Sequence, residues 1–380
     1  MAFKLYQSLL GIKKSKLGIK RNKTRCTFFF FAIKTKMYLR LAKYSQRPLN
    51  KIFTQSKGTT LSFVLLLIYG QSFGQKKDSI PEKITAYVAD KFPSTRVLNI
   101  EHYQLASQKF NSSLLNGPQT SGEISNMHQT KINLNPNFIK KRRWSLGGSF
   151  SYRYMGATTV YTNPDDQLKT IVKNTYHYHT SSLNFAYLAK LLDKMVVYSG
   201  SVLVDGSEKN FERVKGLVTA TMILRANLKT KMTLGLVGIV DPSAQIPVIP
   251  TFSYEHKFRG DWMLDVVLPQ RLLLKKEVFG NGRVSLGAEL DGTGLYLYQF
   301  NRSSGTHEFR QVEINMGAIY EHYFGGSFIG TIKTGYKSIT SGRVFEKNKS
   351  FDNYLFEAKP NGAMYLNLGV SFNPFAKSKK

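Results

Sequence analysis

From residue 143 onward, apolar and polar residues alternate with a period of two in segment after segment. Trp144, Leu146, Gly148, Phe150, Tyr152 and Tyr154 form one such set, and Leu183, Phe185, Tyr187 and Ala189 another. Val218 to Leu228, Met232 to Val240, Trp262 to Leu268 and Val284 to Leu290 follow the same rule. It continues through Tyr296–Phe300, Val312–Tyr320, Phe328–Tyr336 and Met364–Phe372. Successive side chains of a strand point to opposite faces, so each segment predicts a strand with one apolar and one polar face. About twelve strands are expected from residue 143, with one or two more in 96–105 and 126–138.

Lys229-Thr230, Phe258-Arg259-Gly260-Asp261 and Phe279-Gly280-Asn281-Gly282 read as tight links, and Asp291-Gly292 as a further turn. The polar stretches 156–174, 301–308 and 338–360 read as long loops. Short links at one end and long loops at the other suit an outer-membrane barrel. So do runs of nine to twelve residues, the length that crosses a bilayer obliquely. Aromatic residues collect at strand ends (Trp144, Tyr154, Tyr298, Phe300, Tyr320, Tyr336, Phe356 and Phe372), where rings favour the bilayer interface. The predicted fold is all-β: a closed antiparallel transmembrane β-barrel of about 12–14 strands. A secreted β-sandwich shows similar alternation and is the competing architecture.

Composition changes this picture little. The mean hydropathy of −0.26 resembles that of a soluble protein, but a barrel turns only alternate residues to lipid. Formal net charge is +30. Half of it lies in residues 1–75, which hold fifteen Lys or Arg and no Asp or Glu. The remainder is spread thinly, unlike a nucleic-acid-binding stripe, so nucleic acid is not an expected partner. The sole cysteine, Cys26, also lies in that section, which leaves the rest without thiol chemistry.

Residues 61–70 form an apolar run of signal-peptide length, with Ser72 and Gly74 at −3 and −1 for cleavage before Gln75. An n-region of sixty residues is abnormal, and Met37 is the candidate true start. The expected organisation is a basic extension plus signal peptide over 1–74 and a periplasmic segment over 75–95. The barrel follows over 96–372, and a tail over 373–380.

The signal end Ser72-Phe73-Gly74-Gln75, the stretch Asn133-Leu134-Asn135-Pro136 and the pair Pro250–Glu255 and Trp262–Pro269 carry a family likeness. On these the chain resembles the DUF6268 family of outer-membrane β-barrel proteins of Bacteroidota, over roughly residues 90–372. The resemblance implies an outer-membrane location and no established catalytic residue or ligand. Such barrels often end on an aromatic residue, whereas here Ser378-Lys379-Lys380 trail behind Phe375.

Candidate chemistry is sparse. Glu255, Asp265, Arg283, Glu289, Glu313 and Lys333 alternate with apolar residues and are the candidate lumen charges. They would either set electrostatic selectivity or fill a narrow interior with ion pairs. Asp265 has Arg271 as a candidate partner. His177 and His179, two residues apart, share a strand face and are weak metal-ligand candidates; lumen or loop positions are the plainer expectation. No catalytic residue, metal site or cofactor is expected. Gly-x-Ser-x-Gly, phosphate-loop and His-Glu-x-x-His motifs are absent from the sequence.

The expected function is a porin-like passive pore or binder for small polar solutes in the cell outer membrane. The expected partners are outer-membrane lipid and the barrel assembly and export machinery. The second readings are a structural or surface-interaction barrel with a plugged lumen, and a membrane-embedded lipid or glycan hydrolase.

Overall fold

The computed structural model describes residues 91–114, 119–162, 169–302 and 305–374. The expected signal peptide and most of the expected periplasmic segment lie outside them, as does Phe375.

The described residues form one antiparallel sheet. Its strands are β1 (Leu98–Leu105), β2 (Gln108–Leu114), β3 (Gln119–Leu134), β4 (Asn137–Lys140), β5 (Trp144–Thr162) and β6 (Lys169–Leu191). Then come β7 (Lys194–Gly206), β8 (Phe211–Ala226), β9 (Thr230–Val240), β10 (Val248–Lys257), β11 (Trp262–Leu268) and β12 (Arg271–Val278). The last are β13 (Gly282–Tyr298), β14 (Thr306–Gly325), β15 (Phe328–Glu346), β16 (Tyr354–Pro360) and β17 (Ala363–Phe372). From β5 to β15 every strand pairs with its sequence neighbour. Segments β3 and β4 both pair with β5, and β16 and β17 both pair with β15. Segments β1 and β2 pair with β3 on one side, and with β17 and β16 respectively on the other.

Links at one end are short: residues 192–193, 227–229, 258–261, 279–281 and 326–327. In four of them residues with positive φ make the reversal, including Leu192, Gly260, Gly280 and Gly326. At the other end several strands run further than their period suggests. Residues 156–162 and 169–174 are paired strand rather than loop, as are 338–346 and 354–360. Here both faces carry polar residues, so the alternation disappears while backbone pairing continues. Asp291-Gly292 is not a turn either. Both lie inside β13, opposite Glu313 and Val312.

Side-chain direction inverts the rule for water-soluble proteins. Leu183, Phe185, Val202, Val218, Leu234, Leu236, Leu272, Leu286, Ile332 and Leu368 are large, apolar and exposed. Asp205, Asp265, Arg283, Glu313, Glu321, Lys275 and Lys337 are buried. On β13, outward Leu286 and Leu290 alternate with inward Arg283, Ser285, Glu289 and Asp291.

One row of glycines bends the wall. Gly287 of β13 lies opposite Gly317 of β14, which lies opposite Gly335 of β15. A Cβ on Gly317 would overlap the Thr334 carbonyl oxygen and come 2.7 Å from the Gly335 Cα. Gly287, at φ +154°, would drive a Cβ into the Leu272 carbonyl. Glycine permits this close backbone approach and the sharp curvature with it. Strand β12 ends just above the row, where Arg271 faces Glu289. From Asp291 onward β13 therefore pairs only with β14.

Candidate functional site

The freed upper part of the β13–β14 hairpin crosses to the opposite wall. Lys131 Nζ of β3 donates to Asp291 at 2.6 Å, and Arg153 Nη1 of β5 donates to the Gly292 carbonyl at 3.0 Å. Tyr296 stacks on Tyr178 of β6, with ring centroids 6.1 Å apart. The Tyr296 hydroxyl donates to Asp205 Oδ1 of β7 at 2.9 Å. Asp205 is 1% exposed and also accepts hydrogen bonds from Tyr178, at 2.6 Å, and from Lys215. Such a buried carboxylate is stabilised only because all three donors converge on it. Tyr298 hydrogen-bonds Ser207 and Glu212, at 2.5 and 2.7 Å, so it faces the interior rather than the membrane interface. Glu308 pairs with Arg213 of β8, and Arg310 with Asp241 at 3.1 Å. Beside Tyr178, Asp205 and Tyr296 the free volume shrinks to about 10 Å³.

Towards the short-link end the interior opens into a chamber of about 410 Å³. Pro93 to Arg96, just before β1, form part of its lining. Phe92 is buried with Tyr323 and Ile329, and the Arg283 guanidinium lies 4.7 Å from its ring centroid. Arg96 pairs with Glu321 and donates to Thr331 and Ser371 at 3.2 and 2.8 Å. Both the hairpin and this N-terminal segment thus occupy the interior.

The candidate lumen charges fall as follows. Asp265 accepts from Lys275 at 2.5 Å and from Arg271 at 3.0 Å. Arg283 meets Glu321 at 2.7 Å, and Lys333 meets Glu289 at 3.1 Å. Glu313 is 1% exposed, pairs with Lys337 and accepts from Thr293 at 2.7 Å. Glu255 pairs with Lys231 at 2.8 Å. Arg283, Glu289 and Lys333 line the chamber; Asp265 supports it from behind Arg271 and Lys275. Glu313 stands higher, beneath the hairpin.

His177 and His179 are neither loop nor interior residues. On β6 they share the outward face of Leu183 and Phe185, while Tyr178 between them turns inward to Asp205. His177 Nδ1 bonds the Tyr152 hydroxyl at 2.7 Å, and His179 Nε2 bonds the Ser207 carbonyl at 2.9 Å. His128 and Tyr154 adjoin them, and the cluster forms an aromatic rim on the outer surface. No group of three or more potential metal ligands occurs among the described residues.

Residues missed in the sequence include Arg96, Asp205, Lys215, Arg213 and Glu321. Asp205 follows the run Val202-Leu203-Val204, where parity would place it inward, but its partners are distant in sequence.

Asp241, between β9 and β10, ties the hairpin to the loop end. Burial opposes its ionisation, but the Ser243 backbone N–H, Lys215, Arg310 and Arg213 outweigh that and hold its carboxyl well below the usual range. A depressed folded pKa stabilises above the unfolded value of about 3.9 and loses that stabilisation as pH falls below it. The stability advantage of the native chain over Asp241→Asn should therefore be flat from pH 8 to 5 and shrink below about pH 4. Urea titrations of both proteins at stepped pH measure this, and an advantage that varies between pH 5 and 8 contradicts it.

No family model matches the chain, and no curated protein matches it in sequence. Solved structures do. An outer-membrane channel from Pseudomonas putida F1 is 10% identical, with 74% of this chain and 96% of that one aligned, at a TM-score of 0.33. The outer-membrane protease OmpT from Escherichia coli is 9% identical over 74% of this chain and 99% of that one, at 0.24. OccK7 (OpdD) from Pseudomonas aeruginosa is 8% identical over 72% and 98%, at 0.26.

Proposed function

We propose that the paired strands close a transmembrane β-barrel in the cell outer membrane, porin-like in architecture and shut at rest. Its work is to bind or pass small polar solutes. The observation that carries this reading is the inverted distribution of side chains: exposed Leu, Phe and Val outside, ion pairs inside. A protein surrounded by water would bury the first set and expose the second. A bilayer rewards the reverse, and demands a sheet with every backbone group paired. The pairing of β1 with β17 supports closure, because it joins the first and last strands. Counting β1/β2, β3/β4 and β16/β17 as single staves gives fourteen, an even number as such barrels have.

In this reading the short links are periplasmic and the long strand extensions extracellular. Residues 1–74 supply export and 75–95 lead into the barrel. Lipid surrounds the apolar belt, and the assembly and export machinery insert it. The DUF6268 resemblance belongs to this reading, carried by the motif residues around 133–136 and 250–269. The inward hairpin and the segment at 92–96 favour a closed resting lumen over a permanently open one. They also support the second reading, a plugged structural barrel. The chamber below the hairpin favours solute handling over a purely structural role.

A single outward substitution tests the membrane. Leu234, 51% exposed, lies between outward Met222 and Phe252 near the middle of β9. Leu234→Arg should cost about 2–4 kcal/mol in lipid vesicles, the penalty for a cation at the bilayer midplane. In a water-exposed sheet the same change is worth at most about 0.5 kcal/mol. Denaturant titration of vesicle-inserted protein measures the difference, and a near-zero cost would refute the membrane reading.

A further inference from the structure

The chamber at the short-link end is more than leftover space. Its volume of about 410 Å³ lies within the range of roughly 300–1,000 Å³ usual for small-molecule sites. Among the described residues its lining holds five cationic side chains, Arg96, Arg271, Lys275, Arg283 and Lys333, against three acidic ones, Glu101, Glu289 and Glu321. The cations are also unevenly satisfied. Arg271 and Lys275 converge on the same oxygen, Asp265 Oδ2, at 3.0 and 2.5 Å. Arg271 reaches it through Nε alone, so neither terminal nitrogen of its guanidinium is used in that bond. Arg96 shares Glu321 with Arg283, which also donates to the Phe92 carbonyl at 2.9 Å. A side chain whose only purpose was to fill space would be matched one to one. Two cations on one carboxylate keep a local positive surplus at the chamber wall, where a fixed, poorly hydrated guanidinium binds oxyanions through paired N–H donors.

We infer that this chamber is a binding site for a small, doubly charged oxyanion, a phosphate or a short dicarboxylate, held by Arg271 and Lys275 with Arg96 supplied by the N-terminal segment. The inference rests on the barrel reading above and names its solute class. Glu289 stands opposite Arg271 in the β12–β13 register but gives its carboxylate to Lys333 at 3.1 Å, and Glu101 lies within the electrostatic range of the same lysine.

The test uses the full chain refolded into phosphatidylcholine vesicles, with insertion confirmed by heat-modifiable gel mobility. Inorganic phosphate, succinate and uncharged mannitol are titrated calorimetrically. Saturable binding of phosphate or succinate is expected, and none of mannitol; which of the two binds more tightly separates the phosphate source from the carboxylate source. Arg271→Gln and Lys275→Gln should each weaken binding at least ten-fold. Arg343→Gln, whose partners Glu357 and Asp352 lie at the other end, should leave it unchanged. Inserted native protein that binds neither oxyanion, or binds mannitol as well, overturns the inference, as does equal binding by all three variants. Should the chamber variants fail to insert, the comparison of charged and uncharged probes on the native chain still decides. Failure of the native chain itself to insert would instead overturn the membrane reading.

Discussion

Replacing residues 293–309 by an Asn-Gly turn should convert an electrically silent protein into one that gives resolved current steps in planar bilayers. The replaced stretch carries Tyr296, Tyr298 and Glu308, whose contacts with Asp205, Glu212 and Arg213 fill the interior above the chamber. Without them, only the chamber and the N-terminal segment obstruct the path. Eight-stranded barrels are filled by their own side chains, whereas those of 16–18 strands leave an aqueous channel. The fourteen staves of the proposed barrel fall between, so on that reading the folded-in hairpin decides the state. A rise in conductance of at least ten-fold is expected. A smaller change provides the companion measurement: Tyr296→Phe removes one donor to Asp205 and should increase brief openings without altering insertion. Steps of full size in the native chain would remove the case for closure. Continued silence of the inserted deletion variant would favour the plugged structural barrel.

Gly317→Val should be among the most damaging single substitutions in the wall. Its side chain would enter the space occupied by the Thr334 carbonyl oxygen and by Gly335 Cα, both backbone atoms that no rotamer change can move aside. Overpacking commonly costs about 1–3 kcal/mol, and a clash with paired backbone belongs at or beyond the top of that range, about 3–5 kcal/mol. Loss of the sharp bend would also prevent the upper hairpin from reaching the opposite wall. Gly294 supplies the contrast: a Cβ there meets no atom within 4 Å, and Gly294→Ala should change stability by less than about 1 kcal/mol. Refolding yield and urea midpoints compare the two. Equal behaviour would show that the glycine row is dispensable.

The aromatic positions show how far pattern alone reaches. Trp144, Tyr336 and Phe328 sit on the exposed face their parity predicts, because alternation is written residue by residue. Tyr298 obeys the same alternation and yet turns inward, since above β12 its strand has lost one neighbour and tilts over the interior. His177 and His179 were open to several readings because an imidazole suits either a polar interior or a bilayer rim. Their side was settled by Tyr178, whose hydroxyl is claimed by Asp205. The loop assignments at 156–162, 169–174, 338–346 and 354–360 failed for a related reason. Where both faces carry polar residues, alternation fades, while the ladder hydrogen bonds that extend the strands are made by the backbone and leave no trace in composition.

What the amino-acid sequence determined by itself was the β architecture and the positions of most strands and short links. These follow from a local rule: successive side chains of a strand turn to opposite faces, one apolar and one polar. Only the tertiary structure decided which charges meet. Asp265 with Arg271 and Lys275 is a neighbouring-strand match, but Asp205 with Tyr296, Lys131 with Asp291, and Arg96 with Glu321 join residues 91, 160 and 225 positions apart. Their encounter depends on where β12 stops, on three glycines brought into one row and on the curvature they allow. Each of these is a property of strand register, which forms between segments and is carried by none of them alone.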